Sequence, residues 1–252
     1  RDSVASRGLG DVYKRQVNNN VYILEVNPRA SRTIPFVSKA LGIPLARIAA
    51  KIMAGKSLKD LKFQNVPNLE GFFVKEAVMP FNKFQNVDPI LGPEMRSTGE
   101  VMGIGNSFAE AFEKAEVGAG VEIPKEGSVF ISVRDTDKQF LSEIVPSLVE
   151  EDFNLIATKG TASVIKNMGF KVSQIKKVIE GRPNIVDLMK NKEVNLVINT
   201  TEGRESILDS ASIRRTALDE KICCTTTIKG AKAICEVITK KVDWSYRKLQ
   251  DM

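Results

Sequence analysis

From Gly127 onward, short apolar runs alternate with amphipathic stretches, and this pattern constrains the fold more than any other feature of the chain. Residues 129–133, 154–157, 194–198 and 222–223 read as strands. Residues 138–150 and 228–240 read as helices, with a further short helix after Thr161. Strands and helices in strict alternation predict a parallel sheet flanked by helices. In open sheets of that kind, ligands bind beyond the carboxyl ends of the strands. Two polar loops fall there, Thr158-Lys159-Gly160-Thr161 and Asn199-Thr200-Thr201-Glu202-Gly203. The first combines two hydroxyls, a glycine turn and backbone N–H groups at a helix start, a set that can hold a phosphate. Asn199, Thr200 and Thr201 form a second polar cluster, and Lys138 and Lys177 add positive charge. Threonine and asparagine also cap helices and shape turns without any ligand, so on the residues alone both readings stand.

The earlier half carries a different pattern. Residues 21–24 are strand-like and run directly into Glu25-Val26-Asn27-Pro28-Arg29-Ala30-Ser31-Arg32-Thr33. Alternate residues of a strand share a face, which sets Glu25 and Asn27 about 7 Å apart on one side. Two oxygen-bearing side chains at that spacing suit Mg²⁺, which takes one or two protein oxygens and fills its shell with phosphates and water. Arg29 and Arg32 follow at a spacing that suits carboxylate or phosphate recognition. The plainer reading is a solvated acid and two surface arginines at a strand end. Residues 32–41 read as a helix stopped by Gly42, and residues 45–54 as a second helix entered through Pro44 and ended by Gly55. Leu45, Ile48, Ala49, Ile52 and Met53 form an apolar stripe at helical spacing, expected in the core. Residues 66–105 mix short strands with turns. Ser107 is placed to cap a helix over 108–117, with Glu110 in the capping-box position. Gly118-Ala119-Gly120 then opens a linker, with Pro124 and Gly127 beyond, which sets a domain boundary near 120–126.

Composition narrows the function. A chain of 252 residues accommodates two modest domains. The net charge of +6 comes from scattered lysines rather than one basic tract, which argues against nucleic acid as a partner and suits anionic small molecules. No apolar run is long enough to span a bilayer and no signal peptide is apparent, so no membrane partner is expected. The three cysteines, two of them adjacent, lack metal-ligand spacing and read as free thiols of a cytoplasmic protein. Histidine is absent, which removes the commonest general base near neutral pH and the commonest zinc ligand. Phosphoryl transfer, which works by positioning and electrostatics, has less need of it.

The segment from Glu25 to Ala40 resembles the end of an ATP-grasp domain of carbamoyl-phosphate synthase. Met53-Ala54-Gly55-Lys56-Ser57-Leu58, Val74-Lys75-Glu76, Pro80-Phe81-Asn82-Lys83-Phe84 and the run from Leu91 to Gly103 extend the likeness to the second, carbamate-phosphorylating half of that enzyme's large chain. The later half resembles the methylglyoxal-synthase-like regulatory domain of the same family. The fold expected is therefore α/β, the C-terminal remnant of an ATP-grasp domain (17–122) followed by a Rossmann-like parallel-sheet domain (123–252). Residues 1–16 do not continue the family pattern; 11–16 resemble a translated adaptor from a DNA sequencing library, and all sixteen are set aside.

The resemblance implies ATP with Mg²⁺ or Mn²⁺, held through Glu25 and Asn27, with Arg29 and Arg32 acting at the carbamate or the transferring phosphoryl group. It implies UMP or IMP at Lys138, Thr158, Thr161, Lys177, Asn199, Thr200 and Thr201, with Arg204, Arg214 and Arg215 as lesser contributors, and ornithine at Glu76 and Thr226. A family histidine is replaced by Lys159. True methylglyoxal synthase activity, which uses a histidine, is not expected. The implied partners are a glutaminase small chain and the preceding part of the large chain. That part supplies another metal-binding glutamine and the phosphate-covering loop, so this chain alone is expected not to make carbamoyl phosphate. The other reading is a nucleotide-binding regulatory module without chemistry of its own.

Overall fold

The computed structural model describes residues 11–29, 31–63, 65–79, 81, 88–89, 99–241 and 243. The motif residues Pro80, 82–84 and 91–98 lie outside the described residues. The chain forms two compact units, one built on residues up to Glu70 and the other on Gly71–Tyr246.

In the first unit, β1 (Asp11–Val17) pairs antiparallel with β2 (Asn20–Asn27). Residues 11–16, set aside on sequence grounds, thus take part in the fold; strand pairing uses backbone groups and is indifferent to side-chain pattern. Helix α1 (Thr33–Leu41) stops at Gly42 in the left-handed region, at φ 66°. Helix α2 (Leu45–Met53) follows Pro44. The expectation of a buried α2 stripe fails. No α2 residue is buried, and Ile52 and Met53 are exposed. Val21, Tyr22, Ile23 and Leu24 of β2 are exposed as well. A helical stripe becomes core only where a second layer covers it, and in this unit a two-stranded ribbon and two short helices provide none.

The second unit begins with the antiparallel hairpin β3 (Phe72–Val78) and β4 (Gly99–Gly105). Helix α3 (Phe108–Ala119) lies on it. Ser107 caps the helix by accepting from the Glu110 N–H at 3.2 Å, while the Glu110 carboxylate accepts from the Asn106 N–H at 2.8 Å. The expected capping box is therefore half realised, its return bond shifted one residue earlier. Gly103 and Gly105 let the helix approach. A Cβ on Gly103 would strike the Ala111 carbonyl oxygen and lie 2.7 Å from the Ala115 nitrogen.

The sheet comprises β5 (Ser128–Ser132), β6 (Asn154–Thr158), β7 (Ser173–Ile175), β8 (Leu196–Asn199) and β9 (Cys223–Thr225), all parallel, in the order β7-β6-β5-β8-β9. Side chains alternate between its two faces. Val129, Ile131, Leu196 and Ile198 join a core with α4 (Leu141–Glu150), α5 (Lys159–Asn167) and α9 (Ile228–Lys240). Phe130 and Val197 join the opposite core with α6 (Ile185–Lys190) and α8 (Ala211–Asp219). Ala109 of α3 and Ile123 belong to the first of these cores, so α3 packs with the sheet. The linker near 120–126 thus lies within the second unit, between α3 and β5. The expected helix over 138–150 starts as a 3₁₀ turn over Asp135–Phe140 and becomes α-helical at Leu141.

Candidate functional site

The chain leaves β5 toward β6 and β7 on one side and later returns through β8 to β9 on the other. The connections leaving the adjacent, fully paired strands β5 and β8 therefore turn to opposite sides at the carboxyl ends, which is where open α/β sheets form a ligand crevice. A cavity of about 420 Å³ lies there. Its lining includes Lys138, Thr158, Thr161, Lys177, Asn199, Thr200 and Thr201, all expected from the polar loops. Three strand ends and one helix start converge to make it.

The hydroxyls are organised by the backbone. Thr161 Oγ1 accepts from the Val133 N–H at 3.3 Å, and Thr200 Oγ1 accepts from the Arg134 N–H at 3.1 Å. Each bond occupies an acceptor lone pair and leaves the O–H free to donate. Thr158 and Ser132 hydroxyls lie 3.2 Å apart. Thr158 precedes α5 without a side-chain cap, so the first N–H groups of that nine-residue helix are not satisfied by it. The Lys138 ammonium stands over the same turn, within 3.2 Å of where a Gly160 Cβ would sit. It pairs with Asp135 at 2.7 Å, and this hydrogen bond, with Lys177 adding to it, holds the Asp135 carboxyl below the usual carboxylate range. Asn199 is 1% exposed, and among the described residues its Nδ2 has no hydrogen-bond partner. A buried amide without an acceptor carries a desolvation penalty that a ligand oxygen would relieve. The arrangement gathers O–H and N–H donors and two ammonium groups at the α5 start, with the carboxylates of Asp135, Glu202 and Asp209 also on the lining, so an anionic group fits at the α5 end and hydrogen-bonding polar groups fit elsewhere.

Ser132, Arg134, Ser206 and Ser210 also line the cavity and were not singled out from sequence. Ser132 carried a signal, since it ends a strand in the same register as Asn199. Ser206 of α7 (Arg204–Asp209) and Ser210, which follows it, carried none. Two lesser expectations need correction. Arg214 and Arg215 do not line the cavity. Arg214 is buried and clamps Asp88 through Nε at 2.8 Å and Nη2 at 2.5 Å, because a desolvated guanidinium needs a carboxylate. Arg215 pairs with Asp219 and donates to the Phe81 carbonyl. The Arg204 side chain is outside the described residues.

Glu76 lies half-buried on β3, where desolvation raises its pKa. Glu116 on α3 faces the same region. Its pKa is raised to about 7, first by burial and then by repulsion from Glu76. Thr226 is exposed just past β9, and among the described residues no hydrogen bond joins it to Glu76. In the first unit Glu25 and Asn27 share a face as expected, with Asn27 Nδ2 donating to Glu25 Oε1 at 3.1 Å. Arg29 and Arg32 are exposed beyond them.

Comparison with known proteins bears on both units. Residues 6–61 match the family described as the carbamoyl-phosphate synthase L chain ATP binding domain, and residues 141–226 match the MGS-like domain. The first match begins inside the stretch set aside on sequence grounds. A solved methylglyoxal synthase from Elizabethkingia anophelis aligns at a TM-score of 0.38 and 17% identity, over 45% of this chain and 79% of that one, which is a slight likeness. The chain is 55% identical over 245 residues to a carbamoyl phosphate synthase large chain of Pseudomonas aeruginosa, covering 97% of this chain and 23% of that one. A large chain of Halomonas eurihalina is 50% identical over 251 residues, with 98% and 23% covered. The chain thus spans about a quarter of the length of the curated relatives it matches, and it belongs to the carbamoyl phosphate synthase large chain family.

Proposed function

We propose that this chain supplies the end of the second ATP-grasp domain (17–122) and the nucleotide-sensing domain (123–252) of a glutamine-hydrolysing carbamoyl phosphate synthase. The whole enzyme makes carbamoyl phosphate from bicarbonate, ATP and ammonia released by a glutaminase small chain. It works in the cytoplasm and serves pyrimidine and arginine biosynthesis. Among the described residues no helix is long and apolar enough to cross a membrane.

A carboxylate and a carboxamide on one strand face fit a hard divalent cation, so Glu25 and Asn27 are the residues that would hold Mg²⁺ or Mn²⁺. Bound there, the cation would neutralise charge on the ATP phosphates. Arg29 and Arg32 orient carbamate and offset charge during its phosphorylation. The exposed apolar residues of β2 and α2 form the surface that the rest of the large chain covers.

The observation that carries the regulatory half is the convergence of Lys138, Thr158, Thr161, Lys177, Asn199, Thr200 and Thr201 on one cavity. Its volume suits a small ligand such as a nucleoside monophosphate. The phosphate sits at the start of α5 with Lys138 and Lys177, and Asn199 meets the remaining polar atoms. UMP and IMP are the effectors proposed. Ornithine is assigned to Glu76 and Thr226, its ammonium beside the raised carboxyl pair of Glu76 and Glu116. Because the cavity lies wholly within the second unit, the reading of this part as a sensor without chemistry of its own is the same proposal at smaller scale.

Calorimetric titration of the chain with UMP and IMP tests this. Saturable one-site binding is expected. Lys138→Ala, which removes a partly exposed charge, should weaken it about tenfold or more, since a hydrogen bond to a charged group contributes about 1.5–3 kcal/mol. Thr161→Ala should weaken it as well. A folded chain that binds neither nucleotide would refute the assignment.

A further inference from the structure

Part of the cavity lining comes from two short helices meeting at Ser210, α7 and α8. Ser206 and Ser210 line the cavity. The Ser210 N–H donates to the Ser206 carbonyl at 3.2 Å, and the Arg214 N–H donates to the Ser210 carbonyl at 3.1 Å. Ser206, Ser210 and Arg214 therefore form one row along the helical ridge, each a turn from the next. At the far end of the row the Arg214 guanidinium holds Asp88 through two nitrogens and donates to the Ile207 carbonyl of α7 at 2.7 Å. The next residue, Arg215, donates to the carbonyl of Phe81. Both contacts fall on the stretch after β3, far in sequence from the loops that form the cavity.

We infer that Arg214 is a positioning residue that transmits occupancy of the cavity to the segment bearing Phe81 and Asp88. The inference rests on the cavity being a nucleotide site. A ligand that pushes on Ser206 or Ser210 moves the ridge, and Arg214 cannot stay behind. Its charge is 3% exposed, so releasing Asp88 would leave a guanidinium buried without its carboxylate. A buried bidentate pair has few intermediate arrangements, so it passes a displacement on rather than absorbing it. Ligand binding and the position of Asp88 are then linked, and by reciprocity loosening the clamp changes what the ligand can transmit.

The test uses the chain with UMP as the probe, and it separates the two claims. Calorimetry reports binding, and amide hydrogen exchange of peptides containing Asp88 reports transmission. In the wild type, saturating UMP should alter exchange in those peptides. Arg214→Lys keeps the charge and loses the planar fork; Asp88→Asn keeps the shape and loses the charge. In both variants UMP should still bind, and the exchange response at Asp88 should be lost while the response at α5 remains. A clamp that only stabilises the fold would instead raise exchange at Asp88 with and without UMP and leave the response intact, which overturns the inference. Binding with no response at Asp88 in the wild type overturns it too. Absence of UMP binding in the wild type overturns both this inference and the site assignment. If Arg214→Lys does not fold, Asp88→Asn decides alone.

Discussion

Glu116 should make the stability of the second unit fall as pH rises through neutrality. Burial and the neighbouring Glu76 raise its pKa from 4.5 to about 7 in the folded chain. Between those values the folded state binds a proton that the unfolded state has released. Stability is therefore fully present below about pH 4.5 and is lost progressively as pH climbs to about 7. At about 1.4 kcal/mol for each pH unit between the two values, the upper bound is about 3.5 kcal/mol. Glu116 is partly exposed, so water stabilises the ion somewhat, and about 2 kcal/mol is the working figure. Glu116→Gln removes the titration and nearly preserves shape. Urea unfolding at pH 5, 6, 7 and 8 should show little difference between variant and wild type at the acid end, and a variant more stable by about 2 kcal/mol at pH 8. Glu76→Gln should reduce the pH dependence in part, by removing the repulsion that is the second cause. A stability difference that does not vary with pH would refute the buried-pair reasoning.

Two further outcomes are expected. Gly103→Ala should destabilise the second unit by about 3 kcal/mol or more, because the new methyl has no room against the Ala111 and Ala115 backbone; an unchanged urea midpoint would show that α3 can lift off the hairpin at no cost. Burial pushes the Cys224 and Cys235 thiols up to about 12 and raises Cys223 as well, so in the native chain at pH 8 all three should react with a thiol reagent at least about a hundredfold more slowly than in urea. Rapid native labelling of any one of them would contradict that.

The alternation of strands and helices after Gly127 was legible because the tight apolar strands and the amphipathic helices differ in period. The polar loops were legible because a ligand crevice at strand ends draws on residues adjacent to strands in sequence. Shorter elements were less so. Strand β7 is three residues long, and α7 has no apolar periodicity to announce it. Helix α6 did carry a local signal, the capping box that Asn184 and Asp187 form at its start. The α2 stripe does not become core because amphipathicity reports what a helix is able to bury, not whether a partner layer is present.

Local sequence determined the elements, their caps and the donors offered at strand ends, since those depend on a few neighbouring residues. Glu25 and Asn27 share a face for the same reason. The strand order that opens a crevice between β5 and β8 was decided only by tertiary packing, because it depends on which face of each strand another layer covers. So was the fate of the arginines. Arg214 and Arg215 read from sequence as cations available to an anionic ligand, and the fold gives Arg214 instead to Asp88, 126 residues earlier, because a charge buried by packing must be met by whatever opposite charge the packing brings to it.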